Sequence, residues 1–90
     1  MRYTCPCCGY KTLQERFLFD ICDICYWEDD NVQAVNPDVE GGANVVSLRQ
    51  AQKNFVRFGA CEENMRNVVR KPTIYDERDT NWRMLGDLSD

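Results

Sequence analysis

Cys5-Pro6-Cys7-Cys8-Gly9 and Cys22-Asp23-Ile24-Cys25 decide how this chain folds. Two residues between cysteines let one tight turn aim both sulfurs at a single point. In the first turn Pro6 fixes its own φ, and Gly9 accepts a left-handed conformation at no steric cost. The second turn keeps the spacing but places Tyr26 where a glycine would be expected, which predicts a looser turn. Zinc takes thiolate sulfur at about 2.3 Å in a tetrahedron, and closed structural sites use four protein ligands. Cys5, Cys8, Cys22 and Cys25 are therefore the candidate metal ligands.

Between the two pairs, Tyr10-Lys11-Thr12-Leu13 reads as a short strand and Gln14-Glu15-Arg16 as a turn. Phe17-Leu18-Phe19-Asp20-Ile21 then reads as a returning strand. Such a hairpin would bring the pairs side by side as a small zinc ribbon over residues 1–30. The chain has no histidine, so a mixed site is excluded. A four-thiolate site offers no open position to activate water, so the metal is read as structural Zn2+. Iron in a rubredoxin-like site is the alternative, although rubredoxin-like pairs stand further apart. A thioredoxin-type reading would need a βαβ setting that the pattern lacks.

With 90 residues, 43% of them hydrophobic, the chain suits one small domain whose core benefits from a metal staple. No stretch nears the roughly 20 apolar residues of a membrane span. The first twenty residues do not read as a signal peptide. The expectation is a complete, soluble, cytoplasmic protein, where six reduced cysteines argue for metal over disulfides. The net charge of −4 is uneven: residues 1–45 hold three basic and eight acidic side chains, residues 46–90 eight and seven. An acidic front half argues against nucleic acid, whose backbone is gripped by cations.

Asn36-Pro37-Asp38 and Gly41-Gly42 place residues 36–46 outside regular structure. Ser47, followed by Gln50, forms a capping box for a helix whose apolar face carries Leu48, Ala51, Phe55 and Phe58, with Gly59 as the stop. A second helix is predicted from about Cys61 to Val69, ended at Lys71-Pro72. The expected architecture is α+β, one domain over residues 1–90. A zinc ribbon (a β-hairpin with two Cys-x-x-Cys knuckles) packs with two C-terminal helices in 47–70, followed by a mixed tail in 71–90. In that tail Ile74, Tyr75, Trp82, Met84 and Leu85 are the apolar residues able to pack back.

Cys7 has two readings. It fills the outward position of the turn, or it is a surface thiol activated by the nearby cation. Cys61 reads as a small buried hydrophobe. Tyr26, Trp27, Glu28, Asp29 and Asp30 are either a partner-binding surface anchored on Trp27 or a solvated acidic turn. Arg49, Lys53 and Arg57 recur every four residues opposite the apolar face. They are a solvated stripe, or they dock an acidic partner or a second copy of the chain.

Tyr3-Thr4-Cys5-Pro6-Cys7-Cys8-Gly9-Tyr10 and Phe19-Asp20-Ile21-Cys22-Asp23-Ile24-Cys25-Tyr26-Trp27-Glu28-Asp29-Asp30 resemble the bacterial CPCC family of small cysteine-rich proteins. So do Asn36-Pro37-Asp38, Gly41-Gly42-Ala43-Asn44, Ser47-Leu48 and the stretch from Asn54-Phe55 to Cys61-Glu62. The resemblance implies a stand-alone bacterial protein with a metal-binding front end, and it carries no biochemical role with it. The sequence alone favours a zinc-stabilised protein-interaction module, as a monomer or weak homodimer, with another protein as partner. A nucleic-acid-binding zinc ribbon and a thiol redox or metal-handling protein using Cys7 are the alternatives. With no histidine and no defensible carboxylate pair, an ordinary hydrolase ranks last.

Overall fold

A computed structural model describes residues 2–86 as a small α+β unit in which tertiary hydrogen bonds outnumber regular elements. Strands β1 (Tyr3–Thr4) and β2 (Lys11–Leu13) form a two-stranded antiparallel hairpin. Helix α1 covers Asn31–Val35 and α2 covers Leu48–Phe58; a single 3-10 turn follows at Glu63–Met65. Among the described residues no helix is long and apolar enough to cross a membrane.

The hairpin is not the one expected. Its strands flank the first knuckle, with Tyr3 opposite Leu13 and Thr4 opposite Lys11. The run Phe17–Ile21 is not a strand, because Phe17 (φ 60°) and Phe19 (φ 63°) are left-handed and cannot continue a pleat. Only Ile21 bridges, to Glu28, so each knuckle is bracketed by its own short antiparallel pair.

Helix α2 forms as its sequence requires. Ser47 Oγ accepts the Gln50 amide at 3.1 Å, and left-handed Gly59 (φ 83°) returns its amide to the Phe55 carbonyl. Leu48 and Ala51 are buried, while Phe55 and Phe58 are half-buried. Gln52 and Asn54, polar and buried, were not anticipated. Each is satisfied: Gln52 Nε2 donates to the Pro6 carbonyl, and Asn54 Nδ2 donates to the Cys61 carbonyl.

The predicted helix over Cys61–Val69 is absent, apart from the 3-10 turn. Tertiary bonds claim its first residue, since the Cys61 amide donates to the Cys25 carbonyl at 2.7 Å and its carbonyl accepts from Asn54. Glu62 is fully extended (φ −148°, ψ 145°), which blocks helical continuation. The second helix is instead α1. Asp30 caps it by accepting the Val32 and Gln33 amides. Fully buried Gln33 then pins the following loop, donating to the carbonyls of Val39, Asn44 and Val46 and accepting the Asn44 amide.

The described part of the tail wraps the first knuckle. Asp79 N donates to the Gly9 carbonyl, Thr4 Oγ1 donates to Asp79, and Trp82 Nε1 donates to the Pro6 carbonyl. Trp82 and Leu85 pack inward, whereas Ile74 and Tyr75 are 91% and 90% exposed. Residues 87–90, the end of the tail predicted as mixed, lie outside the described residues.

Candidate metal centre

The two knuckles are built alike. In the first, the Cys5 amide donates to the Tyr10 carbonyl at 2.9 Å and the Gly9 amide returns to the Cys5 carbonyl at 2.9 Å. In the second, the Cys22 amide donates to the Trp27 carbonyl at 3.0 Å and the Tyr26 amide to the Cys22 carbonyl at 2.7 Å. Tyr26 therefore occupies the position of Gly9, and it adopts the same left-handed backbone (φ 69° against 83°). The expected looseness of the second turn does not occur. Its hydrogen bonds hold the tyrosine there against a cost of about 1–2 kcal/mol for a left-handed non-glycine residue.

Back to back, these turns bring the sulfurs of Cys5, Cys8, Cys22 and Cys25 within 4.8 Å of one another, all buried. Cys5 Sγ lies 3.5 Å from Cys25 Sγ, and Cys8 Sγ lies 3.7 Å from Cys22 Sγ. A tetrahedron with 2.3 Å metal–sulfur bonds has an edge of about 3.8 Å, so these separations suit one shared cation. They are far beyond the roughly 2.05 Å of a disulfide, and all six cysteines are free thiols. The donor set fits a metal ion.

Charge makes the same point. Burial pushes the Cys5 and Cys25 thiols well above their ordinary range. Hydrogen bonds from Cys25, Cys5 and Cys8 pull the Cys22 thiol down. Ionising all four in a dry pocket needs a cation at their centre.

Thr12 adds a contact that the sequence did not announce. Because Tyr3 pairs with Leu13 and Thr4 with Lys11, Thr12 is the extra residue of a β-bulge. The bulge turns its hydroxyl inward, where Oγ1 donates to Cys22 Sγ at 3.0 Å. A donor on a thiolate reduces its charge and fixes its orientation. Thr12 and Leu13 are consecutive and both buried, which a regular strand with one buried face would not give, and nothing in the segment read as a short strand announces it.

The other named residues lie differently from expectation. Cys7 is fully buried in the cysteine core, and burial raises its thiol pKa; neither the outward position nor the exposed reactive thiol holds. Cys61 is buried too, and burial pushes its thiol up to about 12. Trp27 is wholly buried in the cysteine core and cannot anchor a partner. Asp29 and Asp30 are 2% and 8% exposed, so they are neither a recognition surface nor a solvated turn. Asp30 caps α1 and also accepts the Ala43 amide, while Asp29 Oδ2 accepts the Phe17 amide at 2.7 Å. Half-buried Glu28 is held through its backbone by the Asn44 amide group, and Tyr26 serves as the second knuckle's cap. In the basic stripe, Arg49 is paired with Asp38 at 2.7 Å.

The family model for cysteine-rich CPCC proteins matches residues 3–76. The chain belongs to the cysteine-rich CPCC family. The match takes in both knuckles, both helices and the loop pinned by Gln33, and it stops just before the CPCC chain lays Asp79 and Trp82 on its first knuckle. No curated protein matches this chain.

Proposed function

We propose that this CPCC protein is a zinc ribbon, with one structural Zn2+ on Cys5, Cys8, Cys22 and Cys25, and that it serves as a protein-interaction module. The observation that carries the reading is closure: four buried thiols fit one tetrahedral cation and leave no position for substrate or activated water. Zinc leads over iron because the two pairs stand closer together in sequence than rubredoxin-like pairs do, and a redox-silent ion suffices to staple a core of this size. Zinc binding at such sites is worth about 10–16 kcal/mol, enough to decide whether a small domain folds. The buried, raised thiols of Cys7 and Cys61 weigh against thiol redox work. Eight acidic against three basic side chains in residues 1–45 weigh against nucleic acid.

The test is chelation followed by backbone NMR and circular dichroism. Stripping the metal is expected to collapse amide dispersion, and adding back one equivalent of zinc to restore it. A protein that keeps its spectrum after complete metal removal would overturn the structural role.

A further inference from the structure

The acidic segment is spent on the interior, yet the loop it supports puts apolar side chains in water. Phe17, Leu18, Phe19 and Ile21 are between 37% and 66% exposed within five residues. Summed, their exposed surface, backbone included, is that of about two whole residues, roughly 400 Å². That is as large as the biggest patch on a typical monomer, and such patches are often functional.

The backbone holding them out is strained. Phe17 and Phe19 are both left-handed, and buried Asp29 fixes each of them: Oδ2 takes the Phe17 amide at 2.7 Å and its carbonyl takes the Phe19 amide at 3.3 Å. Strain held in place by a buried group is a feature of binding sites more than of idle loops.

We propose that Phe17, Leu18, Phe19 and Ile21 dock one basic amphipathic helix of another protein, an inference that rests on the interaction-module reading above. Three observations select this occupant. Phe17 and Phe19 are left-handed and their amides are already engaged, so an added strand would find no continuous extended edge and recognition runs through side chains. Apolar anchors at i, i+3 and i+7 of a helix span about 10 Å, a length matched to a five-residue patch. Exposed Glu15 and half-buried Asp20 border the patch, Arg16 lies over the Phe17 ring as its one cation, and the half of the chain around them carries a net charge of −5; the balance favours a cationic partner and repels an anionic bilayer. A second copy fits poorly. Two such patches face to face would cover about 400 Å² per partner, half of what a stable dimer uses, and would set acid against acid.

The probe is a fluorescein-labelled 18-residue helix with leucines on one face and lysines on the other, titrated with zinc-loaded protein by anisotropy. A shuffled peptide of identical composition, with its leucines dispersed, is the control. Saturable binding at least tenfold tighter for the amphipathic peptide, and reduced at least tenfold by Leu18→Ser combined with Phe19→Asn, supports the proposal. Asparagine tolerates the left-handed backbone at 19. Should that pair fail to fold, Leu18→Ser alone, at the most exposed of the four positions, is expected to cost at least threefold. Equal affinity for the two peptides, or for parent and variant, overturns it. So does variant-sensitive dimerisation in sedimentation velocity, or variant-sensitive capture on neutral phosphatidylcholine vesicles. Metal content and chelator-induced unfolding are read on the same samples. If they behave as expected while the peptide fails to bind, the docking surface is wrong and the metal-stapled fold stands.

Discussion

Gly9 and Gly59 share one backbone conformation (φ 83°) but not one environment. A methyl group built on Gly59 meets nothing within 4 Å, whereas on Gly9 it would lie 2.6 Å from Trp82 Cε3 and 2.7 Å from Cδ2. Gly59→Ala should therefore cost only the left-handed penalty, about 1–2 kcal/mol. Gly9→Ala carries the same penalty plus the displacement of an indole that also donates to Pro6, an overpacking term of about 1–3 kcal/mol. The totals are about 1–2 against about 2–5 kcal/mol. Urea unfolding at fixed excess zinc reads both, because a constant metal concentration keeps the binding contribution equal. In a Trp82→Ala background the clash is gone, and Gly9→Ala should fall to the Gly59→Ala value. Equal costs for the two glycines, or a Gly9→Ala cost that ignores residue 82, would refute the docking of the tail on the first knuckle.

Three further outcomes are expected. Thr12→Val keeps the volume but removes the donor to Cys22; zinc affinity, read by competition with a chromophoric chelator, should fall about 10–100-fold. Asp30→Ala removes the α1 cap and the partner of the Ala43 amide, and should cost about 1–2 kcal/mol in the same urea assay. The Ala43 amide leads in holding the Asp30 carboxyl below its usual range, so the parent's advantage over Asp30→Ala should be full above about pH 4 and shrink as acid titrates the folded carboxylate. An advantage that grows on acidification would reverse that assignment.

What the sequence could disclose was local. The knuckle spacing and the Ser47-to-Gly59 helix depend on residues within a few positions of one another, and both appear where expected. The failures are long-range. Phe17–Ile21 has the composition of a strand, and only the pull of Asp29, twelve residues on, turns two phenylalanines left-handed. Cys61–Val69 has a helical pattern, but its first residue is bonded to Cys25 and Asn54. Gln33, Asn44, Gln52 and Asn54 are polar and default to solvent on composition alone. Each is buried because its amide meets a partner between 7 and 46 residues away, which no local pattern carries. The acidic run misled for the same reason, since Asp29 Oδ2 and the Asp30 carboxylate are drawn inward by backbone amides of other segments.

The most direct measurement is metal per chain in natively purified protein by elemental mass spectrometry, with Cys22→Ser and Cys7→Ser beside the parent. One zinc per chain is expected in the parent and in Cys7→Ser, and a metal-poor, unfolded sample for Cys22→Ser. A folded parent with no stoichiometric metal, or a Cys22→Ser chain that keeps its zinc and its fold, would contradict a four-sulfur centre.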